Sequence, residues 1–79
     1  MRYTWTFDRS ATADRYRLIL VDGDMRARWV PGYDSRNAQD VIEAFMYLNT
    51  GYHGKRLTDR HIKLLDEIKL DAALQFDID

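Results

Sequence analysis

The dipeptide Asp22-Gly23 lies between two segments of alternating polar and apolar residues, 15–21 and 24–30. Asp-Gly is typical of a two-residue β-hairpin turn, because both central positions of that turn need positive φ. A tight turn fixes how the two strands pair, and the pairing decides which side chains share a face. We therefore predict a β-hairpin over residues 15–30, and this hairpin limits what the rest of the chain can fold into.

The predicted register assigns each hairpin residue to one of two faces. It pairs Val21 with Asp24, Leu20 with Met25, Ile19 with Arg26, Leu18 with Ala27, Arg17 with Arg28 and Tyr16 with Trp29. One face then carries Tyr16, Leu18, Leu20, Met25, Ala27 and Trp29, and the other carries Arg15, Arg17, Arg26 and Arg28 with Ile19 and Val21. We expect the first face to pack in the core and the arginine face to meet solvent or a partner.

A further strand is predicted before the hairpin. In residues 2–8, Tyr3, Trp5 and Phe7 alternate with polar residues, which is the two-residue period of a half-buried strand. The simplest product is a three-stranded antiparallel meander. Pro31-Gly32 is expected to end this sheet, because proline cannot donate a hydrogen bond to a neighbouring strand.

Two helices are predicted after the sheet. Asp34, Ser35 and Asn37 are all competent N-caps for the first helix, whose apolar residues recur at helical spacing until Gly51. Thr58 is the predicted N-cap of the second helix. The chain of 79 residues should thus be one α+β domain ordered β1-β2-β3-α1-α2.

The end of the second helix is ambiguous, because residues 74–79 also alternate like a short strand. If the helix continues, Leu70 and Leu74 lie away from its main apolar face. They would then form a candidate homodimer seam or target contact. If the helix breaks near Asp71, the tail packs differently.

Composition narrows the function classes. A domain of 79 residues has little core from which to enclose a deep catalytic pocket, so we expect a protein that is not an enzyme. The chain has no cysteine, which excludes disulfides and thiolate zinc sites. The sequence begins without an apolar signal segment and lacks a run long enough to span a membrane, so we expect a soluble intracellular protein.

The predicted arginine face is the main candidate binding site. In the register above, Arg17 and Arg28 stand opposite each other, where like charges repel. The candidate partner-binding residues are Arg2, Arg15, Arg17, Arg26 and Arg28. A solvated surface would explain them equally well, but they also suit carboxylates or phosphates. A net charge of −1 favours an acidic protein over nucleic acid as the partner.

Other candidate residues carry weaker signals. Tyr47, Tyr52, Lys55 and Arg56 are secondary interaction candidates on the first helix and the loop after it. His53 and His61, with Asp59 nearby, lack the companion ligands of a metal or acid–base site. We therefore predict no catalytic residue, no metal site and no cofactor.

The element order resembles that of small phage-encoded anti-CRISPR proteins that inhibit type I surveillance complexes. The likeness lies in the hairpin around Asp22-Gly23, the capped first helix from Asp34-Ser35 through Tyr47, the break at Gly51 and the second helix from Thr58. It covers nearly the whole chain but includes no diagnostic motif, so it assigns a role to no single residue.

This resemblance implies a non-enzymatic protein that acts in the bacterial cytoplasm. It would bind a Cascade-type complex and occlude the surface where target DNA or a nuclease-helicase docks. Unlike the strongly acidic members that mimic DNA, this chain carries a net charge of only −1. Two other functions stay open: a nucleic-acid-binding or transcription-regulating module that uses the arginines, and an accessory subunit that assembles through Leu70 and Leu74.

Overall fold

The computed structural model describes residues 2–78. A four-stranded antiparallel sheet is followed by two helices, which confirms the predicted α+β class. The strands are β1 (Thr4–Arg9), β2 (Tyr16–Val21), β3 (Ala27–Trp29) and β4 (Asp34–Ser35), and the helices are α1 (Ala38–Thr50) and α2 (Asp59–Phe76). β2 lies in the centre of the sheet, with β1 along one side and both β3 and β4 along the other.

The hairpin turn is longer than Asp22-Gly23 alone. Val21 pairs with Ala27 rather than with Asp24, so residues 22–26 form the connection. The Asp22 carboxylate accepts hydrogen bonds from the backbone N–H groups of Asp24 and Arg26, at 2.9 and 3.0 Å. These bonds supplement two backbone hydrogen bonds of the same turn, from the Asp22 N–H to the Arg26 carbonyl and from the Met25 N–H to the Asp22 carbonyl, both at 3.0 Å. Positive φ falls on Met25, at 61°, and not on Gly23.

The longer turn overturns the predicted strand pairing. Leu20 lies opposite Trp29 and not Met25, and a bulge between Leu20 and Val21 leaves Arg28 as an extra residue in β3. The remaining predicted pairs are wrong for the same reason: Ile19 with Arg26, Leu18 with Ala27, Arg17 with Arg28 and Tyr16 with Trp29. Met25 and Ala27, which were expected in the core, are exposed, Met25 to 69%.

Pro31-Gly32 interrupts the sheet but does not end it, which corrects a second expectation. Gly32 adopts φ 88°, in the left-handed region that glycine tolerates. The chain then returns to β2: the carbonyl of Tyr33 accepts a hydrogen bond from the N–H of Leu18 at 2.9 Å, and β4 pairs with Tyr16 and Arg17. β3 and β4 thus lie along the same edge of β2, separated by the irregular segment 30–33.

The core lies between the sheet and the helices, on the predicted face. Leu18, Leu20, Val41 and Leu65 are the largest fully buried side chains. Aromatic residues surround them and are partly buried against the same cluster: Tyr3, Phe7, Tyr16, Trp29, Phe45 and Phe76. Because strand parity turns all side chains together, the placement of Leu18 and Leu20 confirms the predicted core face of β2.

The helix boundaries follow local capping chemistry. Asn37 is the N-cap of α1, and its side chain accepts from the N–H of Gln39 at 3.0 Å. Gly51, at φ 79°, ends this helix as predicted. Thr58 caps α2, also as predicted, and its hydroxyl accepts from the N–H of His61 at 3.3 Å. α2 runs on to Phe76, which excludes the alternative of an early break near Asp71.

Candidate protein-binding face

The outer face of the sheet is the face turned away from the helices. The molecule measures 30 × 29 × 16 Å, which fits one helix layer on one sheet and leaves this face uncovered by helices. Ile19 and Val21 belong to it by strand alternation, yet each is only 4% exposed. Both side chains are therefore almost fully shielded from solvent, and the outer face is not a simple solvated surface.

Two of the five candidate arginines form ion pairs within the fold. Arg15 lies 3.0 Å from Asp34. Arg17 donates two hydrogen bonds to Asp8, from Nε at 2.7 Å and from Nη2 at 3.2 Å. The Asp8 carboxylate, through these bonds and its charge, raises the pKa of Arg17. Arg15 and Arg17 thus already have carboxylate partners, and Arg17 lies opposite Asp34 rather than Arg28, so the predicted repulsion between Arg17 and Arg28 does not arise.

The other three candidates lie near the hairpin turn, and we call Arg2, Arg26 and Arg28 the turn arginines. All three are exposed, and none joins an ion pair within residues 2–78. Arg2 comes two residues before Thr4, which pairs with Val21 at the end of β2 beside the turn. The candidate arginines that form no ion pair are therefore concentrated at the hairpin end of the outer face.

Asp22 does not neutralise the turn arginines by forming an ion pair. Its side chain is buried, and its oxygens accept from backbone N–H groups of the turn. The hydrogen bond from the Arg26 N–H, followed by that from Asp24 and the charges of Arg28 and Arg26, lowers the pKa of Asp22 against the opposing effect of burial. Asp22 stays ionised at neutral pH and stabilises the turn, an effect that fades as the pH falls through its lowered pKa.

Two of the four secondary candidates form side-chain bonds within the fold, and the other two are exposed. Tyr47 donates a hydrogen bond to Asp66 at 2.7 Å, which joins α1 to α2 and raises the pKa of the phenol. Arg56 lies 3.1 Å from Asp40 and is thereby held against α1. Tyr52 is 50% exposed and Lys55 is exposed. Only Tyr52 and Lys55 keep the freedom expected of contact residues.

A carboxylate that the sequence did not single out lies beneath this loop. Glu43 on α1 is buried, and it accepts a hydrogen bond from the Arg56 N–H at 3.3 Å. Gly54 lies directly over the Glu43 carboxylate, with no room for a Cβ atom. The contact explains why residues 51–57 follow α1 closely, and its only signal in the sequence is a glycine in a polar loop.

The predicted homodimer seam is exposed. Leu70 is 61% and Leu74 is 77% exposed on α2. If the two leucines form a seam, the protein should sediment as a dimer at micromolar concentration, and Leu74→Glu should make it monomeric without unfolding it, because a charge cannot be buried there unpaired. Analytical ultracentrifugation over a range of concentrations checks this. A parent protein that stays monomeric at every concentration would rule the seam out.

The two histidines lie in different surroundings. His53 is exposed, and its Nε2 is 2.9 Å from the carbonyl of Leu57. His61 is partly buried, and its Nδ1 is a buried atom without a hydrogen-bond partner among residues 2–78. No group of three potential metal ligands exists within those residues, and no helix there is long and apolar enough to cross a bilayer.

The comparisons with known proteins add no family to these observations. The chain matches no protein-family model, no curated protein and no solved structure. The resemblance to anti-CRISPR inhibitors thus rests on the order of the elements alone.

Proposed function

We propose that the protein is a small non-enzymatic binder that docks on an acidic surface of a partner protein through the hairpin end of its outer face. The observation that carries this proposal is the group of three turn arginines, which form no ion pair with any carboxylate of residues 2–78. Guanidinium groups bind carboxylates in a bidentate manner, and arginine is enriched at protein interfaces. The two arginines that the fold neutralises contribute less.

Exposed apolar side chains lie in the same segment as the turn arginines. Met25 in the turn is 69% exposed, and Val30 directly after β3 is 38% exposed. Interfaces combine apolar contacts with polar groups at the rim, and methionine adapts to irregular partner surfaces. Residues 25–30 therefore supply both kinds of contact in one short stretch.

The partner that we propose is a type I CRISPR surveillance complex of the Cascade type, in the bacterial cytoplasm. Support comes from the element order, an antiparallel meander followed by two capped helices. A binder of 79 residues can inhibit such a complex by covering a surface where target DNA or a nuclease-helicase docks. The turn arginines would grip acidic side chains beside that surface.

Nucleic acid is the alternative partner, since the same arginines could bind phosphates. Nucleic-acid binding depends on neutralising many phosphates, and three uncompensated arginines on a chain of net charge −1 offer few such contacts. Nuclease treatment distinguishes the two, because it removes a nucleic-acid partner and leaves a protein partner in place.

The test is a double charge reversal, Arg26→Glu with Arg28→Glu. A matched control is Arg36→Glu with Lys69→Glu, which makes the same change in net charge at exposed positions elsewhere. Arg17→Glu is unsuitable, because it would place a second carboxylate beside Asp8. We expect the turn variant to lose about tenfold or more in affinity for a purified Cascade-type complex, and the control to bind like the parent.

Capture from a lysate with and without nuclease, and a phage plaque assay on a host with an active type I system, complete the experiment. Binding should survive nuclease treatment, and it should weaken as salt rises. The proposal fails if the folded turn variant binds the complex and protects phage as well as the parent does. It also fails if nuclease abolishes all capture, which would assign the arginines to nucleic acid.

A further inference from the structure

A second candidate site lies apart from the hairpin, between the segment 32–35 and the first half of α2. This polar cleft is lined by Tyr33, Ser35 and Asp40 on one side and by Arg60, His61 and Lys63 on the other, and its lining is completed by Gly32, Asp34, Leu64 and Glu67. Its volume is about 590 Å³. Small-molecule sites typically measure roughly 300–1,000 Å³.

The acidic residues on the β4 side of the cleft are already engaged. Asp34 pairs with Arg15 at 3.0 Å. Asp40 accepts from the hydroxyl of Ser35 at 2.7 Å and from Arg56 at 3.1 Å. These carboxylates therefore have little remaining capacity to attract a cation into the cleft.

The basic residues on the α2 side are not engaged in this way. Arg60 and Lys63 are three positions apart, so they lie on the same side of the helix. Neither joins an ion pair within the part of the chain that the structure describes. Of the three acidic residues that line the cleft, only Glu67 forms no ion pair or side-chain hydrogen bond with another residue of the described range 2–78. The available charge in the cleft is therefore positive.

Two ring side chains add hydrogen-bonding capacity. Tyr33 is buried, and burial, with smaller effects from Asp40 and Glu43, raises the pKa of its phenol, which therefore stays neutral and able to donate. The His61 ring packs edge-on against Tyr33 at 6.2 Å between centroids. No side-chain hydrogen bond of the described residues uses the imidazole of His61, and its buried Nδ1 lacks a partner. Both residues line the cleft, so their side chains can contribute hydrogen bonds to a ligand there.

We propose that this cleft binds a small ligand through a phosphate group. Arg60 and Lys63 would supply the charge, and the Tyr33 hydroxyl and the His61 imidazole would supply further hydrogen bonds. Phosphate suits this set because it carries up to two charges and has several acceptor oxygens. The cleft contains none of the turn arginines, so this proposal does not depend on the proposed protein-binding function.

The experiment is a nuclear magnetic resonance titration of the full chain with inorganic phosphate, at constant ionic strength and pH. Backbone amide signals of residues 60–64 should shift and saturate, with a dissociation constant on the order of 1 mM for the free ion. Acetate, with a single charge, should bind several-fold more weakly. Arg60→Gln with Lys63→Gln should weaken phosphate binding at least about tenfold, while Arg36→Gln with Lys55→Gln, the same charge change elsewhere, should not.

Three results would overturn the proposal. Shifts that rise linearly without saturation would show only general ion effects. Equal binding by acetate would remove the assignment to phosphate. Unchanged binding in the Arg60 and Lys63 variant, with its fold verified by the unshifted core amide signals, would place the anion elsewhere.

Discussion

Leu65→Ala should lower the free energy of unfolding by roughly 2–5 kcal/mol, because it leaves a cavity at the centre of the core. Leu65 is completely buried in α2 against the sheet. Leu74→Ala removes the same atoms from the same helix, but its side chain is 77% exposed. We expect that change to cost less than about 0.5 kcal/mol. Urea denaturation followed by circular dichroism measures both values.

The comparison also tests how α2 packs. A small domain has a total stability of only about 5–15 kcal/mol, so Leu65→Ala should leave a protein that unfolds at much lower urea. Similar losses for the two variants would contradict the placement of Leu74 in solvent. They would mean that another surface covers the outer side of α2, and repeating the denaturation at several protein concentrations would show whether that surface belongs to a second copy.

The helices and the core face of β2 could be predicted because their signals are local. Thr58 and Gly51 act through the conformation of their own backbone and their immediate neighbours. Alternation along β2 places Leu18 and Leu20 together in any antiparallel register of the right parity. Such features need no knowledge of distant residues, and the structure confirms them.

The hairpin register could not be predicted in this way, because a side chain competes with the backbone. The type of turn that Asp-Gly favours needs positive φ at both central residues, but the Asp22 carboxylate here bonds to N–H groups two and four positions later. Together with the backbone hydrogen bonds that join Asp22 to Met25 and Arg26, this bonding closes a turn over residues 22–26 and leaves Met25 in solvent. A difference of a few residues in one turn then changed every cross-strand pair of the predicted hairpin.

The five candidate arginines could be picked out from the sequence by residue type, but the sequence did not show which of them would be paired with a carboxylate. All five arginines belong to the sheet or its flanks, yet their availability depends on which carboxylate lies opposite. β1 brings Asp8 to Arg17, and the return of the chain at β4 brings Asp34 to Arg15. These pairs follow from the sheet topology, so alternation within a single hairpin could not reveal them.

The Glu43 contact could not be predicted either, since it joins α1 to a loop 11 to 13 residues later. A helical glutamate is usually solvated, and a loop glycine usually serves a turn. Here the carboxylate lies beneath Gly54 and interacts with the loop at Arg56.

Gly54→Ala should lower the free energy of unfolding by about 1–3 kcal/mol, because the new methyl group would occupy the position of the Glu43 carboxylate. Glu43 would have to leave its buried site and its interactions with Arg56. Gly23→Ala is the matched control, since the nearest atom to a Cβ there is the Arg2 carbonyl oxygen at 4.0 Å. We expect the control to change stability by less than about 0.5 kcal/mol.

A double-mutant cycle identifies the cause of the loss. In a Glu43→Ala background the obstruction is absent, so adding Gly54→Ala should cost nothing and can even stabilise the protein by a few tenths of a kcal/mol, since alanine restricts the unfolded chain. If Gly54→Ala costs the same with and without Glu43, the loss comes from the loop backbone. If it costs nothing in the parent, the Glu43 carboxylate does not lie beneath Gly54 in solution.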